Sequence, residues 1–170
     1  MKLKKFVCAL LCGLLFFTGC VAPKKDYEEV EITFEQLQEK IENKETFVVE
    51  IYREHCPFCE KVTNFVEETK QEHPNVVLYR IDCTEWKLQN NEDGTALISE
   101  TDVGKDFLKQ FPGFFYTPTF YAFKNGEALV SAIGFNDFTC DVSLWDVDSV
   151  VDFDTADLEY YWNFIEDYQK

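Results

Sequence analysis

Two cysteines separated by two residues, set where a strand pattern gives way to a helix pattern, constrain this chain more than any other feature. Residues 46–52 (Thr-Phe-Val-Val-Glu-Ile-Tyr) are β-branched and aromatic and read as a buried strand. Cys56-Pro57-Phe58-Cys59 follows four residues later. It opens a segment, 57–73, in which Phe58, Val62, Phe65 and Val66 recur at helical spacing. His73-Pro74-Asn75 stops that helix, and residues 76–81 (Val-Val-Leu-Tyr-Arg-Ile) read as a second strand. Strand, helix, strand in this order is a βαβ unit, which implies parallel pairing.

The spacing has chemical consequences. Positions i and i+3 of a first helical turn share a face, so the two sulfurs come within disulfide reach without backbone movement. Cys56 falls at the helix N-terminus, where unpaired N–H groups and the helix dipole favour an anion. Its thiolate is therefore expected to form below the ordinary thiol range. Pro57 fits the first helical position, where a missing N–H costs nothing. Cys59 is expected to lie deeper and less exposed. The roles follow: Cys56 attacks, and Cys59 resolves the mixed disulfide. Other readings of the pair are a structural bridge, a copper site, or half of a zinc site. Zinc would need two further ligands, and only Cys83 and Cys140 offer themselves, neither within a second such pair. The βαβ context favours redox chemistry.

The rest of the chain supplies further elements. Thr33-Phe34-Glu35-Gln36 is a capping-box pattern that opens a helix with Phe34, Leu37 and Ile41 on one face. Residues 83–94 read as a polar loop, and 99–111 as a helix carrying Val103, Phe107 and Phe111. Apolar runs at 119–123 and 128–133 flank Lys124-Asn125-Gly126-Glu127, a strong hairpin signal. Residues 135–154 read as irregular and acidic, better taken as a solvated loop than as a calcium loop. A final helix starts near residue 155, with Leu158, Tyr161, Trp162, Ile165 and Tyr168 in a stripe. The expected architecture is α/β: a four-stranded mixed sheet, βαβ then ββα, with helices on both faces.

Several of these segments together resemble the thioredoxin superfamily over residues 33–170. They are Cys56-Pro57-Phe58-Cys59; Tyr116-Thr117-Pro118-Thr119 ahead of the hairpin, where the family carries its cis-proline loop; the turn 123–127; and Glu50, six residues before Cys56, where the family carries a buried acid. Pro57-Phe58 departs from the Gly-Pro of thioredoxins proper. The resemblance implies a thioredoxin-like fold and thiol–disulfide oxidoreductase activity on protein cysteines, with no dissociable cofactor. A cis bond between Thr117 and Pro118 would present a backbone edge to the sulfurs for a substrate strand. Glu50, buried, would have a raised pKa suited to moving the Cys59 proton. His55, if cationic, would favour the thiolate; as a solvent-facing loop residue it would not. Phe111, Phe114, Phe115 and Tyr116 suit a substrate groove or the core. The same frame also suits a non-catalytic surface lipoprotein that binds a protein partner or a metal, and some relatives accompany bacteriocin export.

The N-terminus points to a location. Lys2, Lys4 and Lys5 precede an uncharged apolar run, 6–17, too short to span a bilayer but suited to a signal peptide. Thr18-Gly19-Cys20 then resembles the lipobox of bacterial lipoproteins. By that resemblance residues 1–19 are cleaved, Cys20 is lipidated, residues 20–32 are a tether, and 33–170 form the domain. The protein is then expected outside the cytoplasm on a bacterial, Gram-positive membrane. Its partners would be secreted or surface proteins with cysteines, and a membrane redox partner. Of seven cysteines, Cys8 and Cys12 leave with the signal and Cys20 takes lipid, so Cys56, Cys59, Cys83 and Cys140 remain. Cys83 and Cys140 are candidates for a second disulfide, although about three strand spacings, ~14 Å, separate their positions and only a fold-back of 135–140 would close the gap. With 32 acidic against 16 basic residues, the chain repels phosphate backbones, and nucleic-acid binding is excluded.

Overall fold

The structure, a computed structural model, describes residues 24–136, 139–146 and 158–170. The signal segment, Cys20 and the first part of the tether lie outside the described residues. So do 147–157, including the expected start of the last helix.

Twelve elements are described: β1 (Glu28–Glu31), α1 (Phe34–Glu42), β2 (Phe47–Tyr52), α2 (Pro57–Thr69), β3 (Val77–Asp82), β4 (Leu88–Asn90), β5 (Leu97–Ser99), α3 (Asp102–Gln110), β6 (Thr119–Lys124), β7 (Glu127–Asn136), β8 (Asp141–Asp146) and α4 (Leu158–Asp167). One sheet has the order β1-β3-β2-β6-β7-β8, and β4 pairs with β5 in a separate hairpin. β1 and β2 run parallel to β3, while β6, β7 and β8 add antiparallel. The expected βαβ and ββα halves form the centre of this sheet.

The sheet has six strands rather than four. Glu28–Glu31 pairs with β3 in the span assigned to the tether, so the fold begins before residue 33. Asp141–Asp146 pairs with β7 in the stretch read as irregular. There Val142 and Leu144, two residues apart, enter the core while the neighbouring aspartates mask the alternation. The span 83–94, read as a loop, holds a 3₁₀ turn, Thr84–Trp86, and β4, whose hairpin partner β5 follows it.

Side-chain alternation along β2 divides the core into two layers. Phe47, Val49 and Ile51 face α1 and α3, meeting Phe34, Leu37 and Phe107. Val48 faces α2 and α4, meeting Val62, Val66, Tyr161 and Ile165. Glu50 shares the parity of Val48 and so points toward the α2 and α4 layer. Each fully buried aliphatic or aromatic side chain stabilises the fold by about 1.5–3 kcal/mol. α1 is closed by the reciprocal bonds of its capping box: the Gln36 N–H donates to Thr33 Oγ1 (3.2 Å), and the Thr33 N–H donates to Gln36 Oε1 (2.8 Å). Among the described residues no helix is long and apolar enough to cross a membrane.

Candidate active site

β2 ends at Tyr52, and three exposed residues carry the chain to the start of α2. This turn is pinned from beneath. The Glu54 N–H donates to Thr84 Oγ1 (2.8 Å), and the Cys83 N–H donates to the Tyr52 carbonyl (2.8 Å). His55 adopts a left-handed φ of 56°, which turns the chain into the helix. Cys56 is the N-cap of α2, with extended backbone, and Pro57 takes the first helical position.

The Cys56 sulfur therefore stands where a capping oxygen would. It accepts the Cys59 N–H at 3.4 Å and the Thr117 hydroxyl at 3.5 Å. As a thiol it can instead donate to the Thr117 carbonyl at 3.4 Å. A hydrogen bond from the Cys59 thiol, opposed by burial, then those from the Thr117 hydroxyl and from the N–H groups of Cys59 and Phe58, pull Cys56 down to about 5. Cys59 moves the other way. The bond its thiol gives to Cys56, then burial, then the negative charges of Cys56 and Glu50 push it well above the ordinary thiol range. One sulfur is thus held as an anion and its neighbour as a proton donor. The expected difference in exposure is not found, since Cys56 is 2% exposed and Cys59 3%. What separates them is the opening each faces: Cys56 lines a groove of about 460 Å³, and Cys59 lines a cleft on the other side of the turn.

The Thr117–Pro118 bond is cis, and Thr117 reaches Cys56 through both its hydroxyl and its carbonyl. Gly134 lies directly behind. Its N–H donates to the Pro118 carbonyl (3.1 Å), and a Cβ there would stand 2.4 Å from Phe120 Cε2 and 3.3 Å from Pro118 Cγ. His55 is exposed and lines the cleft beside Cys59, not the groove beside Cys56. The hydrogen bonds that hold the thiolate come from other residues.

Glu50 is 1% exposed, and burial outweighs the attraction of Arg80 to push its carboxyl up to about 7. Arg80 stands opposite it on β3 and donates from Nε to Glu50 Oε2 at 2.7 Å. The same guanidinium donates to Glu29 Oε2 (3.1 Å), lies 3.7 Å from Glu31 Oε1, and sits 4.1 Å from the Tyr52 ring centre. β1 thus brings two carboxylates to a buried cation. Sequence reasoning missed Arg80. The available signal was a lone cation flanked by Val, Leu, Tyr and Ile in a buried strand, which demands a buried counter-charge.

The structure sets the two candidates for a second disulfide, Cys83 and Cys140, on different parts of the sheet. Cys83 is buried at the end of β3, whereas Cys140 is exposed in the turn before β8, with β2, β6 and β7 between those strands. Burial, then the charge of Asp82, pushes Cys83 up to about 12. Cys83 instead lines the groove with Cys56, together with Phe114, Phe115 and Tyr116, whereas Phe111 belongs to the α1 and α3 core. Among the described residues no three His, Cys, Asp or Glu side chains cluster as metal ligands.

A family model for thioredoxin matches residues 28–140. Among solved structures, a mutant thioredoxin from Halobacterium salinarum NRC-1 is 16% identical, with 85% of this chain and 92% of that one covered and a TM-score of 0.44. The short form of thioredoxin f from spinach chloroplast is 15% identical, with coverages of 62% and 80% and a TM-score of 0.42. Thioredoxin from Trypanosoma brucei brucei is 17% identical, with coverages of 61% and 76% and a TM-score of 0.42. No curated protein matches the chain.

Proposed function

From the premise that this chain belongs to the thioredoxin family, we propose that it is a thiol–disulfide oxidoreductase acting on protein cysteines through Cys56 and Cys59. The observation that carries the reading is the asymmetry of the pair: Cys56 at the N-cap is drawn down to about 5, while Cys59, one turn on, is pushed up.

In the reducing direction the Cys56 thiolate attacks a substrate disulfide. A mixed disulfide forms, and one substrate sulfur leaves as a thiolate. Bonding to the substrate removes the charge from Cys56, and with it the hydrogen bond and the repulsion that kept Cys59 protonated. Cys59 then loses its proton and attacks the Cys56 sulfur, which releases the second substrate thiol and closes the Cys56–Cys59 disulfide. Two electrons have passed to the substrate, and the reverse sequence oxidises a dithiol. Glu50 is the group that takes the Cys59 proton: it is buried, its charge reaches Cys59, and it titrates near neutrality. Arg80 is a positioning residue that holds one Glu50 oxygen, Oε2, and leaves Oε1 without a partner among the described residues. The half-buried edge at Thr117 is the backbone against which an extended substrate segment pairs.

The basic start, the apolar run and Gly19-Cys20 support the further proposal that the enzyme works outside the cytoplasm, anchored by lipid at Cys20. Its partners are then exported or surface proteins with cysteines, and a membrane protein that resets the pair. The test is turnover. Insulin reduction, or oxidative refolding of a reduced protein, depends on Cys56; equal activity in Cys56→Ser would refute the enzyme reading. Release of a Cys20→Ser variant from the membrane tests the anchor, and an unchanged membrane fraction would refute it.

A further inference from the structure

The groove beside Cys56 differs in charge from the chain that forms it. Acidic residues outnumber basic ones two to one. Yet the groove is lined by two cations, Arg53 and Lys87, and by no carboxylate. Of the neighbouring acids, Glu54 and Glu60 line the cleft on the Cys59 side, which Arg53 also borders, and the Asp82 carboxylate accepts both the N–H and the hydroxyl of Thr84. Arg53 makes no ion pair among the described residues, and Lys87 meets only Glu100, at 4.0 Å between two largely exposed side chains.

The groove is also built in place. Lys87 sits between the 3₁₀ turn and β4 with a left-handed φ of 51°. The hairpin it begins is tied at its base, where the hydroxyls of Ser99 (2.5 Å) and Thr101 (3.1 Å) both donate to the Trp86 carbonyl. Gly104 of α3 presses against this knot, since a Cβ there would meet Ser99 Oγ at 2.2 Å. Two of the large apolar side chains exposed among the described residues, Phe58 (42%) and Tyr116 (55%), line the same groove.

We propose that the groove selects cysteine-bearing polypeptide segments in which the reactive cysteine is flanked by an acidic residue and an apolar one, with Arg53 and Lys87 as the specificity-determining cations. This rests on the thiol–disulfide reading above and names its substrate class. The chemistry explains why cations stand there. The attacking Cys56 is an anion, and a carboxylate beside the target disulfide would be repelled by it; two fixed positive charges offset that repulsion and favour docking. Phe58 and Tyr116 offer apolar faces to the neighbouring side chain. Screening limits the repulsion of the acidic body beyond ~8 Å, so the charges in the groove decide the local preference.

The experiment is single-turnover reduction of disulfide peptides by the full chain, first reduced and then freed of reductant. The peptides are identical except for Asp, Asn or Lys next to the reactive cysteine, with Leu on its other side. The Asp peptide is expected to react about threefold faster than the Asn peptide and about tenfold faster than the Lys peptide, the scale of exposed charge pairs. In a combined Arg53→Gln and Lys87→Gln variant the Asp-to-Asn ratio is expected to fall to near one. Arg53→Lys, which keeps the charge, is expected to retain the preference. Equal rates for all peptides, or a preference that survives in the double variant, would overturn the charge selection and leave the exchange activity standing. Reduction of none of them would overturn both.

Discussion

Replacing Thr117 by Val removes one of the groups that hold the Cys56 charge while keeping the shape of the side chain. The Thr117 hydroxyl donates to the Cys56 sulfur at 3.5 Å, from a half-buried position next to the cis bond. A hydrogen bond to a charged group contributes ~1.5–3 kcal/mol, and this one is at the long end of the range for sulfur, so ~1.4 kcal/mol is the appropriate scale. That energy corresponds to one pH unit, so Cys56 moves from about 5 to ~6. At pH ~5.5 the thiolate fraction falls from roughly three quarters to roughly one quarter, while at neutrality both proteins remain about nine-tenths ionised or more. The loss therefore appears in mildly acidic buffer and nearly vanishes at pH ~7. A pH titration of thiolate ultraviolet absorbance, with Cys56→Ser as the blank, reads the midpoint directly. An unchanged midpoint in Thr117→Val, with the fold intact by circular dichroism, would refute the assignment of Thr117 to the thiolate.

Cys59→Ser is expected to retain attack and lose resolution, so a covalent adduct with a disulfide substrate accumulates on non-reducing gels; rapid release of that adduct would contradict the division of roles. Glu50→Gln tests the buried carboxyl. Its folded pKa near 7 lies above its ordinary 4.5, so the native state binds the extra proton, and wild-type stability falls as pH rises through that interval. Denaturant titrations between pH ~4.5 and ~8 are expected to show this loss, about 3 kcal/mol, reduced or absent in Glu50→Gln; parallel curves would refute it. Gly134→Ala places a methyl against Phe120 and Pro118 and is expected to cost ~1–3 kcal/mol in chemical denaturation, with no change in midpoint as the contrary result. At neutral pH, alkylation of the native protein is expected to label Cys56 and spare Cys83, which is buried and pushed up to about 12; equal labelling of Cys83 would contradict that placement.

What the sequence revealed and what it hid have physical reasons. Cys56-Pro57-Phe58-Cys59, Pro118 and Glu50 were legible because each sits in a local pattern: a strand-to-helix junction, an X-Pro before a hairpin, a lone acid in an apolar strand. β1 was not, because Glu-Glu-Val-Glu carries no strand propensity, and its reason to pair is distant: Glu29 neutralises Arg80. Arg80 itself becomes intelligible only once the parallel register sets it beside Glu50. β8 was hidden by aspartates that flank its apolar residues, and β4 and β5 by being three residues each. The aromatic wall of the groove, Phe114, Phe115 and Tyr116, was legible as a run, but its cations were not, since Arg53 and Lys87 come from two other connections, and its freedom from carboxylates belongs to the surface rather than to any window of sequence. His55 was open to two readings, and its exposed position matches the solvent-facing one. Adjacency to Cys56 could not decide between them; the left-handed turn at His55 carries it to the cleft beside Cys59.

The account depends on an unusually acidic Cys56, and the pH dependence of its alkylation by iodoacetamide, followed residue by residue with mass spectrometry, tests this most directly. The predicted result is a half-maximal rate near pH 5, far below that of Cys59 or Cys83. A half-maximal rate at the ordinary thiol value of about 8.5 would contradict it.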